Sequence, residues 1–504
     1  MFKNETSDLV FLFLVTFLLS IYLFFNMHVI SLDGLSQHIP MARMFAAGSF
    51  REALRYSGQQ PLYPLLVSLA SRGIGDVELA ARLVSTLFGI LLVFPAYLLV
   101  KEMSDRRVAF LSILLLAVHP YVRRFSADVL KESTYLFFFT TSLWLILRAL
   151  RREQLYLFFL APIFSGLAYL VRPDGVEPLF AVFLYVIFGK KLSASGRKGK
   201  TILLLLLSSG ILLLPYLSYL RGITGEWTLS KTKGFTELLG VDLLRHGSLL
   251  IHHISYSLWQ IVREIQVHFL PVLLVLMVIG FGKKVSTGFS RGDGLLLSLW
   301  AIHCAVLFLI MLNLTDWSGP RDSWLPSFSG RHVLPLLLVS IYWIGEGLVA
   351  IHQWLSRRVT SFRRFRYMEP EKRSYMILVI LLALVLAIML PKTLKPQRVE
   401  KLPEKWAGIW IKGQSGTGAL IFTTLPRVPY YADGIWVAVD PAKDGLDQVL
   451  DAMAEKNATY FVIDGEEIER FPELADPAQR DFLEVIRYEK KKMDTVIIYK
   501  RTPQ

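Results

Sequence analysis

Eleven long apolar stretches, separated by polar connections, run through the first 391 residues of the chain. A helix needs about 20 apolar residues to cross the hydrocarbon core of a bilayer, and the first stretch, residues 9–30, has this length. The pattern therefore predicts eleven membrane-spanning helices. The predicted spans are residues 9–30, 79–100, 108–120, 133–149, 154–171, 177–189, 201–220, 267–282, 294–313, 331–352 and 375–391.

The connection after the first predicted span, residues 31–78, is half apolar. Ile39, Met44, Phe45 and Phe50 recur at the spacing of one helix face. Such a pattern is typical of amphipathic helices that lie along a membrane interface. A plain connector of this length would be more polar.

From residue 392 the chain becomes polar, and its apolar positions follow a different pattern. Short β-rich runs alternate with helical patterns, which predicts a small α/β domain. The predicted strands are residues 419–424, 435–439, 460–464 and 495–500, and the predicted helices are residues 446–455 and 477–487.

Composition supports this division of the chain. Hydrophobic residues make up 53% of the 504 residues and the mean hydropathy is +0.46, which is too apolar for a soluble protein with one ordinary core. We predict an α-helical polytopic membrane protein with a transmembrane domain at residues 1–391 and an extracytoplasmic α/β domain at residues 392–504. The single cysteine, Cys304, excludes a disulfide within one chain.

The net charge of +14 reflects basic residues that fall mainly in short connections between spans. Examples are Lys190-Lys191, Lys283-Lys284 and the run around Arg363-Arg364. Short cytoplasmic loops carry an excess of Lys and Arg, so we predict a plasma-membrane protein with a cytoplasmic N-terminus. The odd number of spans then places the C-terminal domain outside. This distribution favours a membrane protein over a nucleic-acid-binding one.

Asp33 follows the first predicted span directly, within Ser-Leu-Asp-Gly-Leu-Ser-Gln-His at residues 31–38. A carboxylate at a membrane boundary is costly to keep. It could act as a general base on an acceptor at the membrane surface, where partial desolvation raises the pKa of a carboxylate. The structural alternative is an exposed loop residue, or an N-cap for a helix beginning at Gly34.

A second ionisable cluster precedes the fourth predicted span. Asp128 and Glu132 are four residues apart, and Arg124 lies one further turn back, so all three would share one face of a continuous helix. An interfacial helix with an ion pair would explain this pattern. However, Arg124 and Lys131 oppose the charge bias expected of an outer loop, which favours a role in binding an anion such as phosphate.

Two more clusters lie on the same predicted side of the membrane. In the third, Arg172 and Asp174 occupy a tight Pro-Asp-Gly turn, whose proline and glycine are explained by conformation alone. In the fourth, Arg331 and His332 start the tenth predicted span, where basic residues can also reach lipid head groups. Four ionisable clusters on one face predict a shared cavity.

No metal-binding or nucleotide-binding pattern of any strength is present. His252 and His253 are adjacent, so their side chains diverge, and His246 and His268 are isolated. The sequence contains neither a Walker motif nor a dinucleotide fingerprint. A donor carried in the membrane is therefore the energy source that the sequence favours.

Together these motifs resemble polyprenyl-phosphate-sugar-dependent glycosyltransferases of the GT-C superfamily, and most closely glycosyltransferase family 39. That family includes protein O-mannosyltransferases and the aminoarabinose transferases that modify lipid A. The order of the elements carries the resemblance from about residue 9 to 352, and the tail resembles the outer domain of many members. The motifs are Asp33, Gln-Pro-Leu-Tyr-Pro-Leu-Leu at 60–66, Arg-Phe-Ser-Ala-Asp-Val-Leu-Lys-Glu-Ser at 124–133, Gly-Leu-Ala-Tyr-Leu-Val-Arg-Pro-Asp-Gly at 166–175 and Gly-Arg-His-Val-Leu-Pro at 330–335.

The resemblance implies an inverting transfer of a sugar from a polyprenyl phosphate to an acceptor hydroxyl or amine. Asp33 matches the first-loop carboxylate that the family uses as general base. Glu132 matches its second carboxylate, with Asp128 as the competitor for that role. Gly34 follows Asp33 where protein mannosyltransferases typically have a further acidic residue, which argues against protein mannosylation.

The remaining site residues fall into two groups. The candidates for neutralising the departing phosphate are Arg124, Lys131, Arg172 and Arg331, and the candidates for contacting the substrates are Gln37, His38, Tyr63, Asp174 and His332. The predicted partners are a polyprenyl-phosphate-linked sugar, a lipid, glycan or protein acceptor, and membrane lipids, but no nucleic acid. We predict that no cofactor is required, with a divalent cation as the one candidate addition.

Three other classes of protein could share parts of this pattern. A transporter or flippase would carry ionisable residues near the midplane of its spans and often an echo between its halves. A polysaccharide polymerase or ligase would also have large outer loops. A scaffold that binds partners through its tail would leave the outer carboxylates unexplained.

Overall fold

The computed structural model describes residues 4–188, 198–231, 249–315, 317, 329–358, 368–440, 444–471, 474, 482–490 and 493–501. The chain forms two compact units. The first comprises residues 1–23 and 41–395, and the second comprises residues 24–40 and 396–504. The second unit thus combines the C-terminal residues with a segment that begins inside the first predicted span, residues 9–30, whose helix ends earlier, at Phe25. The division at residue 391 drawn from the sequence stays a prediction.

Helices dominate the chain up to residue 393. They are Glu5–Phe25, Ile39–Ala46, Phe50–Tyr56, Leu62–Ile74, Val77–Leu91, Val93–Met103, Arg106–Ala117, Pro120–Ser126, Glu132–Arg152, Leu155–Tyr169, Glu177–Phe188, Lys198–Thr224, Leu250–Phe269, Pro271–Thr287, Arg291–Leu314, Leu334–Arg358 and Pro370–Thr393. A π-helix at Gly34–His38 and 3-10 helices at Pro173–Val176 and Gly330–Val333 interrupt the series. Each of the eleven predicted apolar stretches contains a helix.

Within the described residues, seven helices are long and apolar enough to cross a membrane, and the number reaches nine if each of two bent pairs is one span. Arg106–Ala117 meets Pro120–Ser126 at 60°, and Leu250–Phe269 meets Pro271–Thr287 at 102°. Both bends occur just before a proline, which lacks the N–H that would continue the preceding helix. A multi-pass helical membrane protein is confirmed, while the orientation of its termini stays a prediction.

The C-terminal part of the second unit contains a five-stranded sheet in the order β2-β1-β3-β5-β4. The strands are β1 (Leu420–Thr423), β2 (Ile435–Ala438), β3 (Tyr460–Asp464), β4 (Phe482–Tyr488) and β5 (Val496–Arg501). β1 runs parallel to β2 and β3, whereas β5 runs antiparallel to β3 and β4. Helices Leu402–Ser415, Arg427–Ala432 and Leu446–Glu455 complete the unit. The predicted α/β fold class is therefore confirmed.

One predicted element of this domain is wrong. The sequence predicts a helix near residues 477–487, but residues 482–488 form strand β4, and residues 475–481 lie outside the described residues. Strand β4 pairs along its length with β5, with one irregularity between Glu484 and Ile486. Pairing with an existing sheet edge satisfies the backbone groups of this segment and overrides its helical pattern.

Residues 26–30 are bound to the C-terminal part of the same unit through their backbone. The Asn26 carbonyl accepts from the backbone N–H of Gln397 at 3.1 Å, and Met27 forms a parallel bridge with Gln397. The Lys405 ammonium donates to the His28 carbonyl at 3.1 Å. The segment that leads to Asp33 is therefore folded as part of the C-terminal domain.

Ile30, three residues before Asp33, is held at both of its backbone groups. Its N–H donates to the Tyr431 hydroxyl at 2.9 Å, and its carbonyl accepts from Arg427 Nε at 2.9 Å. Arg427 Nη1 also donates to both oxygens of Glu404 at 3.1 Å, and both side chains are buried. A buried ion pair with this geometry fixes the direction of the guanidinium.

We expect Arg427→Met to loosen residues 28–33 and to destabilise the second unit by about 3 kcal/mol, because breaking a buried ion pair leaves a carboxylate poorly compensated. Lys401 stays within 3.4 Å of Glu404, so the loss should be partial. Hydrogen exchange of the full chain in lipid nanodiscs measures the effect. Arg487→Met, which removes an exposed pair with Glu484, is the matched control and should change little. Unchanged exchange at residues 28–33 in Arg427→Met would contradict this role.

Candidate active site

A cavity of about 420 Å³ lies in the first unit, between the helices Glu177–Phe188 and Arg291–Leu314 and the turns that carry Arg172 and Arg331. This volume is typical of a small-ligand site. Its apolar lining includes Val176, Phe180, Ile302, Val306, Leu307, Ile310 and Leu314. Its polar lining includes Gln59, Lys131, Glu132, Arg172, Asp174, Glu177, His303, Arg331 and His332. The cavity is therefore amphipathic.

Six of the twelve site residues predicted from the sequence line this cavity. They are Lys131, Glu132, Arg172, Asp174, Arg331 and His332. They come from three of the four predicted ionisable clusters, which are distant in sequence. The second, third and fourth clusters therefore share a cavity, as predicted. Their residues lie at the start of helix Glu132–Arg152, in the turn after helix Leu155–Tyr169 and just before helix Leu334–Arg358.

Glu132 lies at the centre of the charged end and is 1% exposed. Its Oε1 is 3.6 Å from Arg172 Nη1 and 3.8 Å from Arg331 Nε. Within the part of the chain that the structure describes, neither of its carboxylate oxygens accepts a hydrogen bond. A buried carboxylate normally accepts several donors. Glu132 thus has charge partners at a distance and free acceptor capacity facing a cavity.

Arg172 is held in place by Asp174 and by an aromatic ring. Its Nε and Nη2 donate to the two Asp174 oxygens, each at 3.0 Å, and its guanidinium lies 4.9 Å from the centre of the Tyr135 ring. Burial by itself disfavours both charges. The attraction between the two groups nevertheless outweighs burial, so the pKa of Arg172 is raised and the pKa of Asp174 is lowered. Both side chains therefore stay ionised.

The turns that contain Arg172 and Arg331 each have a glycine where the backbone packs closely against a neighbouring helix. A Cβ at Gly175 would lie 2.2 Å from the backbone of Ala168, and a Cβ at Gly330 would lie 1.6 Å from the His268 ring. The Gly175 carbonyl also accepts from Ser165 Oγ at 2.6 Å. These glycines let both turns pack directly against neighbouring helices. Steric contact therefore explains why Gly175 and Gly330 are glycines.

The sequence patterns do not predict one ionisable pair at the cavity, which is formed by Glu177 and His303. His303 lies in the middle of helix Arg291–Leu314, and its Nδ1 is 2.7 Å from Glu177 Oε2. An ionisable residue inside an apolar span is a signal for function by default, and this signal at position 303 could have been used.

The other predicted residues of the first unit lie away from the lining of the cavity. Asp128 is fully buried, and its Oδ1 accepts from the Val129 N–H at 2.8 Å. Tyr63 is also buried, and its hydroxyl pairs with Ser85 Oγ at 2.8 Å. Arg124 is half-buried in helix Pro120–Ser126. The predicted roles of Arg124, Asp128 and Tyr63 in the reaction stay predictions.

The prediction that Arg124, Asp128 and Glu132 share one helix face is wrong. Helix Pro120–Ser126 ends before Asp128, and a new helix begins at Glu132. The break is stabilised locally, because the Leu130 N–H donates to the Asp128 carbonyl at 2.9 Å. Glu132 therefore takes the first position of its own helix, where the positive end of the helix dipole favours a carboxylate.

Asp33, Gln37 and His38 belong to the second unit. Asp33 precedes the π-helix Gly34–His38, and its side chain makes no capping hydrogen bond, so the alternative role as an N-cap finds no support. Asp33 and Gln37 are half-buried, whereas His38 is buried. The roles of these three residues stay predictions.

No group of three or more His, Cys, Asp or Glu side chains suited to a metal ion occurs among the residues with described positions. The carboxylates of the cavity face two arginines and a histidine instead. This set of side chains fits an anion better than a cation. Whether a cofactor takes part stays a matter for prediction.

Comparison with known proteins adds independent information. Residues 59–219 match the family model for dolichyl-phosphate-mannose-protein mannosyltransferase. This segment contains Lys131, Glu132, Arg172 and Asp174. No curated protein matches the sequence.

Solved structures share the fold at low sequence identity. ArnT from Cupriavidus metallidurans, bound to undecaprenyl phosphate, has a TM-score of 0.58 and 13% identity, and the match covers 98% of each chain. The oligosaccharyltransferase AglB from Archaeoglobus fulgidus, in complex with an inhibitory peptide and a dolichol-phosphate, has a TM-score of 0.60 and 13% identity. That match covers 97% of this chain and 73% of AglB. The resemblance to GT-C glycosyltransferases is confirmed by the fold and by the family match.

Proposed function

We propose that this protein, a relative of the GT-C glycosyltransferases, transfers a sugar from a polyprenyl phosphate to an acceptor on the extracytoplasmic face of the membrane. The observation that carries the proposal is the amphipathic cavity. Its lining combines apolar side chains, most of them from the helices Glu177–Phe188 and Arg291–Leu314, with the cations Lys131, Arg172 and Arg331. A lipid phosphate needs both environments next to each other, because its chain stays in the bilayer while its charge requires donors.

The charge of the cavity suits a phosphate group. Three cations, Lys131, Arg172 and Arg331, face two carboxylates, Glu132 and Asp174. With these five ionised, and with the buried pair of Glu177 and His303 sharing a proton and carrying no net charge, one net positive charge remains for an anionic ligand. Asp174 is already occupied by Arg172 through two hydrogen bonds. The net charge of the cavity lining therefore suits one phosphate group better than a larger polyanion.

The proposed reaction is a direct displacement at the anomeric carbon. The acceptor oxygen or nitrogen forms a bond to that carbon, the bond from the carbon to the phosphate oxygen breaks, and the electron pair leaves on the phosphate. Asp33 takes the acceptor proton as general base. Arg172, Arg331 and Lys131 stabilise the charge that develops on the phosphate, an effect worth several kcal/mol in a partly dry site. A single displacement inverts the configuration.

Glu132 has a different role in this proposal. Its two oxygens have free acceptor capacity, so they can receive hydrogen bonds from sugar or acceptor hydroxyls. Its charge also keeps Arg172 and Arg331 directed at the same point before the donor enters. Glu132 therefore orients the sugar, while the arginines bind the phosphate.

The comparisons support the donor class and leave the acceptor open. The structures with the same fold hold undecaprenyl phosphate in ArnT and a dolichol-phosphate with a peptide in AglB. The acceptor proposed here is a lipid, glycan or protein. Gly34 after Asp33 argues against the protein class. No cofactor is proposed for the reaction.

The test uses the purified full chain in liposomes with radiolabelled undecaprenyl-phosphate or dolichyl-phosphate sugars. We expect release of the free polyprenyl phosphate together with transfer of the label to envelope lipids, glycans or proteins added as acceptors. Mass spectrometry of the cell envelope with and without the protein then identifies the product. Movement of intact donor across the bilayer without cleavage would instead support a flippase and would refute the proposed transfer.

Lys131 makes donor binding sensitive to pH in this proposal. Burial and the nearby charge of Arg172 lower the pKa of Lys131 to about 8. The ammonium group is charged below this pH and neutral above it. The apparent KM for the donor should therefore rise as the pH increases through about 8.

Lys131→Arg is the matched variant, because a guanidinium keeps its charge throughout this range. Its donor KM should change much less between pH 7 and about 9. Steady-state kinetics across this range measure the difference. An identical pH dependence in the two proteins would remove Lys131 from the phosphate site.

A further inference from the structure

His303 joins the two turns that carry the arginines of the cavity. On one side, its Nδ1 is 2.7 Å from Glu177 Oε2, and Glu177 directly follows the turn Pro173–Val176. On the other side, its Nε2 is 2.7 Å from the carbonyl oxygen of His332, which follows Arg331. Glu177 and His303 are each 2% exposed. One buried imidazole thus bridges two segments that meet only through tertiary structure.

The chemistry of the two partners fixes the protons of this bridge. A backbone carbonyl can only accept a hydrogen bond, so His303 Nε2 must carry a proton and donate it to His332. A second proton lies between Nδ1 and the Glu177 carboxyl group. Whether that proton is on the ring or on the carboxyl, the pair has no net charge. The bridge therefore holds the two segments in place without changing the net charge of the cavity.

We propose that His303 is a positioning residue that sets the separation of Arg172 and Arg331. This inference rests on the proposed function, because the separation matters only if both guanidinium groups bind the same phosphate. Arg172 Nη1 and Arg331 Nε now lie at similar distances from one Glu132 oxygen, 3.6 and 3.8 Å. Without the bridge, the turn Gly330–Val333 loses its buried tie to helix Arg291–Leu314. Arg331 would then sample positions outside the reach of the ligand.

The experiment measures binding of undecaprenyl phosphate to the purified full chain in nanodiscs, by native mass spectrometry and by ligand-induced stabilisation against heat. His303→Leu alone would leave Glu177 buried without its partner, which is destabilising. The decisive variant is therefore the double substitution Glu177→Leu/His303→Leu, because replacing a buried pair by apolar residues is often neutral for stability. We expect it to keep its thermal stability and to bind undecaprenyl phosphate about tenfold more weakly.

Two single variants complete the design. Glu177→Gln keeps both hydrogen bonds of the bridge, because its amide can donate to Nδ1 while Nε2 still donates to His332, so it should weaken binding of undecaprenyl phosphate less than the double substitution does. Cys304→Ala alters the neighbouring residue of the same helix, which does not line the cavity, and should have no effect. A folded double variant that binds undecaprenyl phosphate normally would overturn the positioning role.

The proposed function and this inference fail in different ways. Absence of undecaprenyl phosphate binding in the unchanged protein would count against the donor class itself. Binding by the unchanged protein, combined with equal binding by the Glu177→Leu/His303→Leu variant, would refute only the role of His303. In transfer assays, a positioning role predicts a raised donor KM with a smaller change in kcat.

Discussion

Replacing Asp33 with asparagine is expected to lower the rate of sugar transfer by about 10²–10⁴-fold, because an amide cannot take the proton that the acceptor loses. The substitution keeps the size of the side chain. The Asp33 side chain makes no hydrogen bond that caps the π-helix after it. Binding of undecaprenyl phosphate, which relies on the cavity of the first unit, should stay unchanged. The measurement is transfer from a radiolabelled polyprenyl-phosphate sugar in liposomes, normalised to the amount of folded protein.

Ser36→Ala is the matched control for the Asp33 variant. It lies in the same segment and removes a hydrogen bond from Ser36 Oγ to the Leu32 carbonyl. Its rate should stay within about twofold of the unchanged protein, since exposed substitutions usually change little. Full activity of Asp33→Asn would reject Asp33 as the base. Loss of activity in both variants would indicate that the segment, rather than its carboxylate, is what matters.

The second large effect is expected for Arg172→Met. This substitution removes a charge from the proposed phosphate site and leaves Asp174 without its two donors and Glu132 with one cation fewer. Breaking a buried ion pair costs about 3–5 kcal/mol. Part of this loss falls on folding and part on donor binding. We therefore expect a lower thermal stability and a transfer rate reduced by at least about 100-fold.

Two further variants separate the contributions of Arg172. The double variant Arg172→Met/Asp174→Leu also removes the Asp174 carboxylate that would otherwise lose its partner. Its thermal stability should therefore recover, while its donor binding stays weak. Arg172→Lys keeps the charge but loses the two-pronged contact, and its effect should be intermediate. Arg221→Met removes an exposed arginine that lies over Trp227 and serves as the control. Recovery of donor binding in the double variant would show that Arg172 acts on folding alone.

The relation between Asp33 and the C-terminal domain links these predictions to the fold. Residues 24–40 form one unit with residues 396–504, and Ile30 is bound by Arg427 and Tyr431. A variant that loosens this attachment should therefore act like a mild form of Asp33→Asn.

The sequence by itself determined where the apolar helices lie and most of the strands, whereas the eleven predicted spans exceed the seven to nine that the described residues support. Apolar length and residue periodicity are local properties, and a helix satisfies its backbone hydrogen bonds within its own segment. For this reason each apolar stretch contains a helix, and the strands at residues 420–423, 435–438, 460–464 and 496–501 fall within one residue of their predicted places. Arginines, a lysine and carboxylates near span ends likewise stood out because charge is costly there.

Only the tertiary structure decided which of these residues meet. Glu177 and His303 are 126 residues apart, and no local pattern relates them. Residues 482–488 became a strand because β5 offered them a partner, and residues 24–40 joined the C-terminal domain through contacts to residues about 400 positions away. Hydrogen bonds and ion pairs over such separations depend on how the whole chain packs, whereas helices depend on neighbours three and four residues away.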